Sequence, residues 1–361
     1  MTPPSEPDSG AQPPDESQAR PADEVSGGTP RRRGLLGRIA RTLFWTGLLA
    51  LLALGGGAYW GWTQFTGPGP LSEDRIVYIP PGSGLSAIAD RLTSEGVLER
   101  QALFILGVRL SGAHAQLKAG EYAFGPRASQ QDVLAVLRRG ETVDRFVTVP
   151  EGLTSAEIVA LLNEAPALEG RIEAVPPEGS ILPETYHYER GQARADLMLR
   201  MQAALQAELE RLWADRAPNL PFDSPREAVT LASIIEKETG VAGERAKVAG
   251  VFVNRLRRGM RLQSDPTVIY ALTEGAGPLD RALTRRDWRV EHPYNTYRID
   301  GLPPGPIANP GRAAIAAALD PAETDALYFV ADGAGGHAFA RTLEEHNRNV
   351  ARWRRIRDGA D

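Results

Sequence analysis

The sequence predicts an α+β protein made of a single transmembrane helix, a small α+β subdomain and a larger mixed α/β domain. Three observations predict it. Residues 43–62 run without one charge, a strand–turn–helix pattern occurs twice between residues 77 and 162, and helical periodicity alternates with short strand-like runs after residue 196. With 361 residues, of which 42% are hydrophobic, the chain is long and apolar enough for two or three folded domains.

The composition excludes several kinds of protein. A net charge of −5 gives no large basic surface, so a dedicated nucleic-acid binder is not expected. The chain has no cysteine, which excludes disulfide scaffolds, thiolate zinc sites and cysteine nucleophiles. Its five histidines show no spacing typical of metal ligands, so we predict no metal and no cofactor.

The N-terminal segment reads as a tail, a membrane span and a linker. Residues 1–42 are predicted to be a disordered cytoplasmic tail, because prolines and acidic residues dominate most of it. Residues 43–62 form the transmembrane helix, since 20 residues at about 1.5 Å each cross the roughly 30 Å core of a bilayer. Arginines between positions 31 and 41 precede the span, so the positive-inside rule puts the N-terminus in the cytoplasm. A linker over 63–73 follows, and a cleaved signal peptide is the rival interpretation.

A weak internal repeat organises the next part of the chain. Residues 77–92 align without a gap to residues 147–162, and each copy reads as a strand, a Pro-Gly turn and a helix. Between the copies, 119–124 reads as another strand and 130–138 as a helix. Such βα units are common, so shared geometry alone also explains the coincidence.

These patterns place an α+β subdomain at 74–145 and a second domain at 146–357. In the second domain, helices and strands are expected at 196–213, 224–239, 244–258, 311–319, 326–330, 336–339 and 342–357.

The helix that begins after Ser224 has unusually clear limits. Ser224, Pro225 and Glu227 form a capping box with proline at the first helical position. Gly240 suits the left-handed residue that ends many helices. Apolar residues cover most of the surface between these limits, so the helix is predicted to be buried nearly all round.

Glu236 is the candidate general acid on this helix. It falls on one apolar stripe with Val229 and Ala232. A carboxyl group held against such a wall ionises with difficulty and can donate a proton at neutral pH. The plainer alternative is that Glu236 only marks the helix end or pairs with a neighbouring basic residue. Glu238 lies about 200° further round the helix and is predicted to be solvated.

Three clusters after this helix combine amides, hydroxyls and aromatic rings. They are Met260–Tyr270, Tyr294–Tyr297 and Gly301–Gly311. Aromatic rings stack on the apolar face of a pyranose, while Gln and Asn side chains bond its hydroxyl and acetamido groups. The clusters therefore indicate a sugar-binding cleft, although loops rich in Pro and Gly are also ordinary connectors.

Five blocks of the sequence stand out in order: Ala232-Ser-Ile-Ile-Glu-Lys-Glu-Thr239, Arg261-Leu-Gln-Ser-Asp-Pro-Thr-Val-Ile-Tyr270, Tyr294-Asn-Thr-Tyr297, Gly301-Leu-Pro-Pro-Gly305, and Tyr328-Phe-Val-Ala-Asp-Gly333 with Gly336-His-Ala-Phe339. Their order and spacing resemble the signature of the endolytic murein transglycosylase family (MltG, or YceG-like). The resemblance covers about residues 70–355. It implies a membrane anchor, a LysM-like subdomain at about 76–140 and a lytic-transglycosylase catalytic domain.

The resemblance also implies the site residues. The first Glu of the Glu-Lys-Glu-Thr block, Glu236 here, is expected to be the catalytic acid/base. Substrate contacts are expected from the surrounding blocks: Gln263, Asp265, Tyr270, Tyr294, Asn295, Tyr297 and His337. One carboxyl group suffices for a lytic transglycosylase, because the muramic C6 hydroxyl attacks within the same sugar and no second carboxylate has to activate water.

The predicted function is therefore cleavage of the β-1,4 bond between MurNAc and GlcNAc in nascent glycan strands, leaving 1,6-anhydroMurNAc ends. The protein is expected in the cell inner membrane, with its N-terminus in the cytoplasm and its catalytic domain in the periplasm. Peptidoglycan strands are the expected substrate and peptidoglycan synthases the candidate protein partners. The alternatives are a hydrolytic muramidase with Asp265 as its second carboxyl group, a non-catalytic peptidoglycan-binding scaffold, and a scaffold that recruits synthases through its transmembrane helix.

Overall fold

The computed structural model describes residues 33–359, and the chain divides after Gln64 into two compact units. A single helix, α1, runs from Arg33 to Thr66. Its residues 37–66, with a mean hydropathy of 1.5, form a helix long and apolar enough to cross a membrane. The predicted span lies inside this helix.

The predicted limits of the tail and the linker differ from the structure. Residues 33–42 and 63–66 belong to α1, because the helix continues past both ends of the predicted span 43–62. The rest of the predicted tail, 1–32, lies outside the described residues.

The first core of the second unit is built from a strand pair and three helices. Strands β1 (Arg75–Ile79) and β2 (Gly120–Phe124) are antiparallel, with Val77 opposite Tyr122. Helices α2 (Leu85–Ser94), α3 (Gln101–Leu110) and α4 (Gln130–Arg139) pack with them around Phe104, Tyr122 and Phe124. The strands and α4 confirm the sequence prediction, whereas α3 was not predicted.

The second core repeats the opening pattern of the first. Strand β3 (Arg145–Thr148) pairs antiparallel with β4 (Thr185–Tyr188), and α5 (Ser155–Glu164) follows the turn. Gly82 and Gly152 occupy equivalent turns with φ of +78° and +79°, a region that favours glycine. The predicted repeat of strand, Pro-Gly turn and helix is therefore present in the structure.

The third core is mainly helical and surrounds one central helix. Its helices are α6 (Arg194–Ala214), α7 (Pro225–Glu238), α8 (Arg245–Arg257), α9 (Asp265–Thr273) and α10 (Arg312–Leu319). A hairpin of β5 (Tyr328–Ala331) and β6 (His337–Ala340) and the closing helix α11 (Leu343–Asp358) complete it. Every residue of α7 from Ala228 to Ile235 is buried, which confirms the prediction of a helix buried nearly all round.

The two ends of α7 test the capping predictions. Ser224 and Glu227 form the predicted capping box, in which each side chain binds the other's backbone N–H. The prediction for Gly240 is wrong, because the helix ends on Thr239 in extended geometry and Gly240 has no positive φ. Thr239 Oγ1 accepts a hydrogen bond from the N–H of Val241 at 3.0 Å, so the chain leaves α7 through a side-chain turn.

A buried amide joins the second and third cores. Asn309 is fully buried, and its Oδ1 accepts a hydrogen bond from the N–H of Ile181 at 3.0 Å. Its Nδ2 donates to the carbonyl of Leu153 and to the carboxylate of Glu178, at 3.1 and 3.0 Å. The loop before α10 is thereby fixed against the start of α5.

Candidate active site

A cavity of about 410 Å³ opens where the C-terminal end of α7 meets α8, the start of α9 and the β5–α11 region. It brings together residues far apart in the sequence. Its lining residues are Glu238, Phe252, Arg255, Leu262, Gln263, Asp265, Tyr297, Tyr328, Phe329, Val330, Leu343 and His346. Acidic, amide, phenol and aromatic groups thus share one space, which is the composition expected of a polar ligand site with apolar walls.

Glu238, the last residue of α7, contributes the carboxyl group at the apolar wall of this cavity. The hydroxyl of Ser264 donates to its Oε1 at 2.5 Å. Burial raises the pKa of Glu238 to about 6, and the nearby Asp265 carboxylate acts in the same direction, against the hydrogen bond from Ser264. A carboxyl group in this state can hold a proton near neutral pH and release it to a substrate.

The prediction that Glu238 is solvated is wrong. It placed Glu238 on the face of α7 opposite Glu236, but that face packs against α8 and the start of α9. Glu238 lies on the cavity wall beside Phe252 and Leu262, so the angular separation from Glu236 does not put it in water.

Asp265 is held by two aromatic donors. The hydroxyl of Tyr297 donates to its Oδ1 at 2.7 Å, and the indole N–H of Trp288 donates to the same oxygen at 2.9 Å. The two rings stack at 5.8 Å between centroids. Burial raises the pKa of Tyr297 and the Asp265 carboxylate adds to it, so the phenol remains a donor at all physiological pH values. The group combines a fixed carboxylate with a flat ring surface, as sugar sites do.

Arg255 supports the cavity from behind. Its Nε donates to the carbonyl of Leu327 and its Nη1 to the carbonyl of Leu262, each at 2.7 Å. The guanidinium lies 5.2 Å from the ring centroid of Tyr328 and only 8% of the residue is exposed. This one side chain therefore fixes α8, the segment before α9 and the β5 strand relative to one another.

Gln263 and His346 line the cavity, whereas the predicted contact His337 does not. Gln263 is exposed at the cavity with φ of +49°, a left-handed conformation that turns the chain between Leu262 and Ser264. His346 lines the cavity and stacks on Tyr328 at 5.2 Å. His337 packs edge-on against the cavity residue Phe329, and its Nδ1 is 2.7 Å from Glu244 Oε2.

The structure places Glu236 outside this cavity. Its side chain is only 6% exposed, as the apolar stripe predicts. Each of its two carboxylate oxygens nevertheless has a hydrogen-bond donor. The N–H of Gly311, the N-cap of α10, donates to Oε2 at 2.9 Å, and Arg245 Nη2 lies 3.5 Å from Oε1. These contacts tie the end of α7 to α8 and α10, and Arg245 Nη2 also lies 3.5 Å from Glu151 Oε2.

With His337, four of the predicted substrate contacts do not line the cavity. Tyr270 and Tyr294 pair with each other at 4.7 Å between centroids, beside Glu178 and Gly305. Asn295 is fully buried: its Nδ2 donates to the carbonyls of Trp288 and Val290, and its Oδ1 accepts from the N–H of Tyr297. Asn295 therefore shapes the loop that carries Trp288 and Tyr297, and no part of it is free to contact a sugar.

Several cavity residues were missed in the sequence. Arg255 was the most predictable of them from the sequence, because this charged residue lies on α8 next to the apolar positions Phe252 and Leu256. His346 and Trp288 carried none, since only the fold brings His346 to the cavity and Trp288 to Asp265. Across residues 33–359, no three acidic or histidine side chains meet as metal ligands.

Comparisons with known proteins identify the family of this chain. Residues 77–352 match the model of the YceG-like family. An endolytic murein transglycosylase from Bacillus subtilis is 32% identical over 304 residues, covering 75% of this chain and 82% of the relative. One from Streptococcus pneumoniae is 30% identical over 358 residues, covering 84% of this chain and 63% of that longer relative.

A solved structure is also similar. The crystal structure of a yceG-like protein from Listeria monocytogenes is 31% identical, and the match covers 76% of this chain and 98% of that one with a TM-score of 0.49. The family match and the coverage of the Bacillus relative lead to one conclusion: this chain belongs to the YceG-like family of endolytic murein transglycosylases, and it is a lytic transglycosylase.

Proposed function

We propose that this protein is a membrane-anchored lytic transglycosylase that cuts the MurNAc–GlcNAc β-1,4 bond within nascent glycan strands and so ends their elongation. The observation that carries the proposal is the carboxyl group of Glu238, desolvated beside a ring-lined cavity that also holds Asp265 and Tyr297. Relatives named endolytic murein transglycosylase support the substrate class.

Glu238 is the proposed acid and base of the reaction. Its proton goes to the glycosidic oxygen as the bond to C1 of MurNAc breaks, which releases the GlcNAc hydroxyl. The carboxylate then removes the proton from the C6 hydroxyl of the same MurNAc, and that oxygen bonds to C1. One proton leaves and one returns, so Glu238 is regenerated and no water enters the product.

Groups in the cavity, together with Trp288 stacked beside Tyr297, are proposed to hold the sugar chain. The stacked rings of Trp288 and Tyr297 suit the apolar face of a pyranose, while Gln263 and Asp265 offer amide and carboxylate groups to hydroxyls. Asp265 accepts two donors already, so it is oriented before a substrate binds. A carboxylate held in place in this way suits substrate binding better than a role as a catalytic base, which would have to change position during the reaction.

Glu236 is proposed to be a structural carboxylate. Its contacts with Gly311 and Arg245 hold three helices at the end of α7, close to Glu238 in the chain. The sequence-based proposal that Glu236 itself is the acid remains the competing assignment, and it is decided by the same experiment.

The proposed orientation follows from the charges around α1. Arginines between positions 31 and 41 precede the apolar segment, so the N-terminus lies in the cytoplasm, the protein in the cell inner membrane and the catalytic part in the periplasm. Binding of peptidoglycan synthases stays a prediction.

The decisive experiment digests sacculi with full-length protein and identifies the new chain ends by mass spectrometry. We expect 1,6-anhydroMurNAc ends from the wild type, none from Glu238→Gln, and measurable activity from Glu236→Gln with a lowered melting temperature. Loss of activity in Glu236→Gln alone, at an unchanged melting temperature, would make Glu236 the acid.

The remaining outcomes separate the alternative functions. Reducing MurNAc ends would identify a hydrolytic muramidase, for which Asp265 is the second carboxyl group. No new ends from any variant, together with binding to sacculi, would identify a peptidoglycan-binding scaffold.

A further inference from the structure

His346 is a titratable group of the cavity that the proposed reaction does not use. It lies near the start of α11 and lines the same cavity as Glu238. Its ring stacks on Tyr328, with 5.2 Å between the ring centroids and 26° between the ring planes. The imidazole is therefore held flat against one aromatic wall of the cavity.

The two nitrogens of this ring differ in what they meet. Nδ1 is closed off from solvent and has no hydrogen-bond partner among the described residues 33–359. Within the same residues, Nε2 has no hydrogen-bond partner either, but it is not closed off, so it is accessible in the cavity that His346 lines. A bound ligand can reach only Nε2.

The burial of Nδ1 decides the charge of the ring. A charged imidazole carries an N–H on both nitrogens, and the N–H on Nδ1 would be buried without an acceptor, which is costly. Burial lowers the pKa of His346, and the Arg255 guanidinium, 5.2 Å from the centroid of the Tyr328 ring, lowers it further. Both effects favour the neutral imidazole.

The nearby carboxylates, which would favour a charged ring, are already paired. The titratable groups on the elements around His346 are Arg255 on α8, Tyr328 on β5, His337 on β6, Glu238 at the end of α7, Asp265 at the start of α9, and Glu344 and Glu345 on α11 itself. Ser264 donates to Glu238, two aromatic residues donate to Asp265, Arg348 binds Glu344, and Glu345 caps the start of α11. No carboxylate lies within hydrogen-bond distance of the buried Nδ1.

The position of the single proton follows from the same burial. Buried N–H groups without a partner are rarer in proteins than buried acceptors without one, so the lone pair belongs on Nδ1 and the N–H on Nε2. His346 then presents to the cavity a donor and no acceptor. The natural partner of such a group is an oxygen that only accepts, such as a carbonyl.

We propose that His346 is a substrate-binding residue whose Nε2–H donates a hydrogen bond to an acetamido carbonyl of the glycan strand. MurNAc and GlcNAc each carry one acetamido group, whereas sugar hydroxyls both donate and accept and are better matched by Gln263 and Asp265. This inference rests on the proposed function, because it takes peptidoglycan as the substrate.

Nuclear magnetic resonance tests the tautomer in the free protein. Full-length protein with 15N-labelled histidine, in detergent, shows which ring nitrogens carry a proton, and the signal missing from His346→Gln identifies position 346. At pH 7 we expect a protonated Nε2 and an unprotonated Nδ1. The exposed His114 is the internal control and should show both tautomers in exchange. A protonated Nδ1 at His346, in a neutral or a charged ring, would overturn the proposal.

Two variants test the donor in the reaction. His346→Phe keeps a ring to stack on Tyr328 but has no N–H, whereas His346→Gln has an amide N–H close to the position of Nε2. On soluble glycan strands, kcat/KM should fall about tenfold in His346→Phe, which is the worth of one hydrogen bond, and recover toward the wild type in His346→Gln. Equal losses in the two variants at an unchanged melting temperature would show that the ring acts by packing alone.

Modified substrates identify the acceptor. Glycan strands that lack the acetyl group on GlcNAc alone, or on MurNAc alone, remove one carbonyl each. For one of them, His346→Phe should be about tenfold less sensitive to the removal than the wild type, because the variant has no donor to lose. Equal sensitivity of the two proteins to both removals would overturn the acetamido contact.

The failure of this inference differs from the failure of the proposed function. A wild type that forms no 1,6-anhydroMurNAc ends would overturn the proposed function and the donor role together. A wild type that forms these ends while His346 carries its proton on Nδ1 would overturn the donor role alone.

Discussion

Replacement of Glu238 by glutamine should stabilise the protein, and more so as the pH rises. Burial raises the pKa of Glu238 to about 6 from an ordinary value of 4.5. Between these values the unfolded chain has lost the proton that the folded chain still holds, so stability falls with rising pH. The loss is complete above the folded pKa, and a difference of about 1.5 at 1.36 kcal/mol per pH unit amounts to about 2 kcal/mol.

Glutamine never ionises and keeps an oxygen that can accept the hydrogen bond from Ser264. The Glu238→Gln variant should therefore match the wild type near pH 4.5 and exceed its stability by about 2 kcal/mol near pH 8. For a unit of nearly 300 residues this corresponds to a melting temperature higher by about 3 °C. The rate of glycan cleavage by the wild type should fall about tenfold per pH unit above pH 6, as the acid form disappears.

The assay is thermal unfolding of both proteins in detergent, followed by circular dichroism from pH 4.5 to 8. Glu73→Gln gives the baseline for the removal of one surface carboxylate, since that side chain is 78% exposed. A difference between Glu238→Gln and the wild type that is constant across this range, or that grows toward acid, would refute the argument that Glu238 is desolvated.

Three further substitutions have defined outcomes. Asn309→Ala should lower the free energy of unfolding by about 3 kcal/mol, measured in urea, because the buried N–H of Ile181 loses its acceptor; a loss below about 1 kcal/mol would contradict the role of this amide. Tyr297→Phe should keep the melting temperature but lower kcat/KM by about tenfold, because Asp265 loses one of its two donors. Glu236→Gln should destabilise the fold by about 1–2 kcal/mol through its weaker contact with Arg245, and unchanged unfolding would show that the contact is only incidental.

The parts of the fold that the sequence predicted are those set by neighbouring residues. The capping box of α7 needs only Ser224 and Glu227, three positions apart, and the repeated turns need only glycine at 82 and 152. The membrane-length helix needs only an uninterrupted apolar run. Each of these signals lies within a few residues of the structure that it specifies, so tertiary contacts do not decide it.

The site was harder to predict because its neighbours come from distant segments. His346 and Tyr328 reach the cavity only through the packing of α11 on β5. Asn295 and Gln263 are both amides within polar blocks, and nothing local distinguishes the one that is buried from the one that is exposed. The burial of an amide is a tertiary property, and residue type alone favoured sugar binding for both.

The two glutamates at the end of α7 differ in what their oxygens meet. Glu236 meets a backbone N–H and a guanidinium that it shares with Glu151, whereas Glu238 meets one hydroxyl, apolar walls and the carboxylate of Asp265. Two donors suit a group that holds helices together, while a single donor in apolar surroundings suits a group that gains and loses a proton. Asp265 therefore has a double effect: it offers an oriented oxygen to the sugar, and its charge favours the protonated form of Glu238. The reaction needs one carboxyl group that ends each cycle protonated, and Glu238 has the surroundings that favour this state.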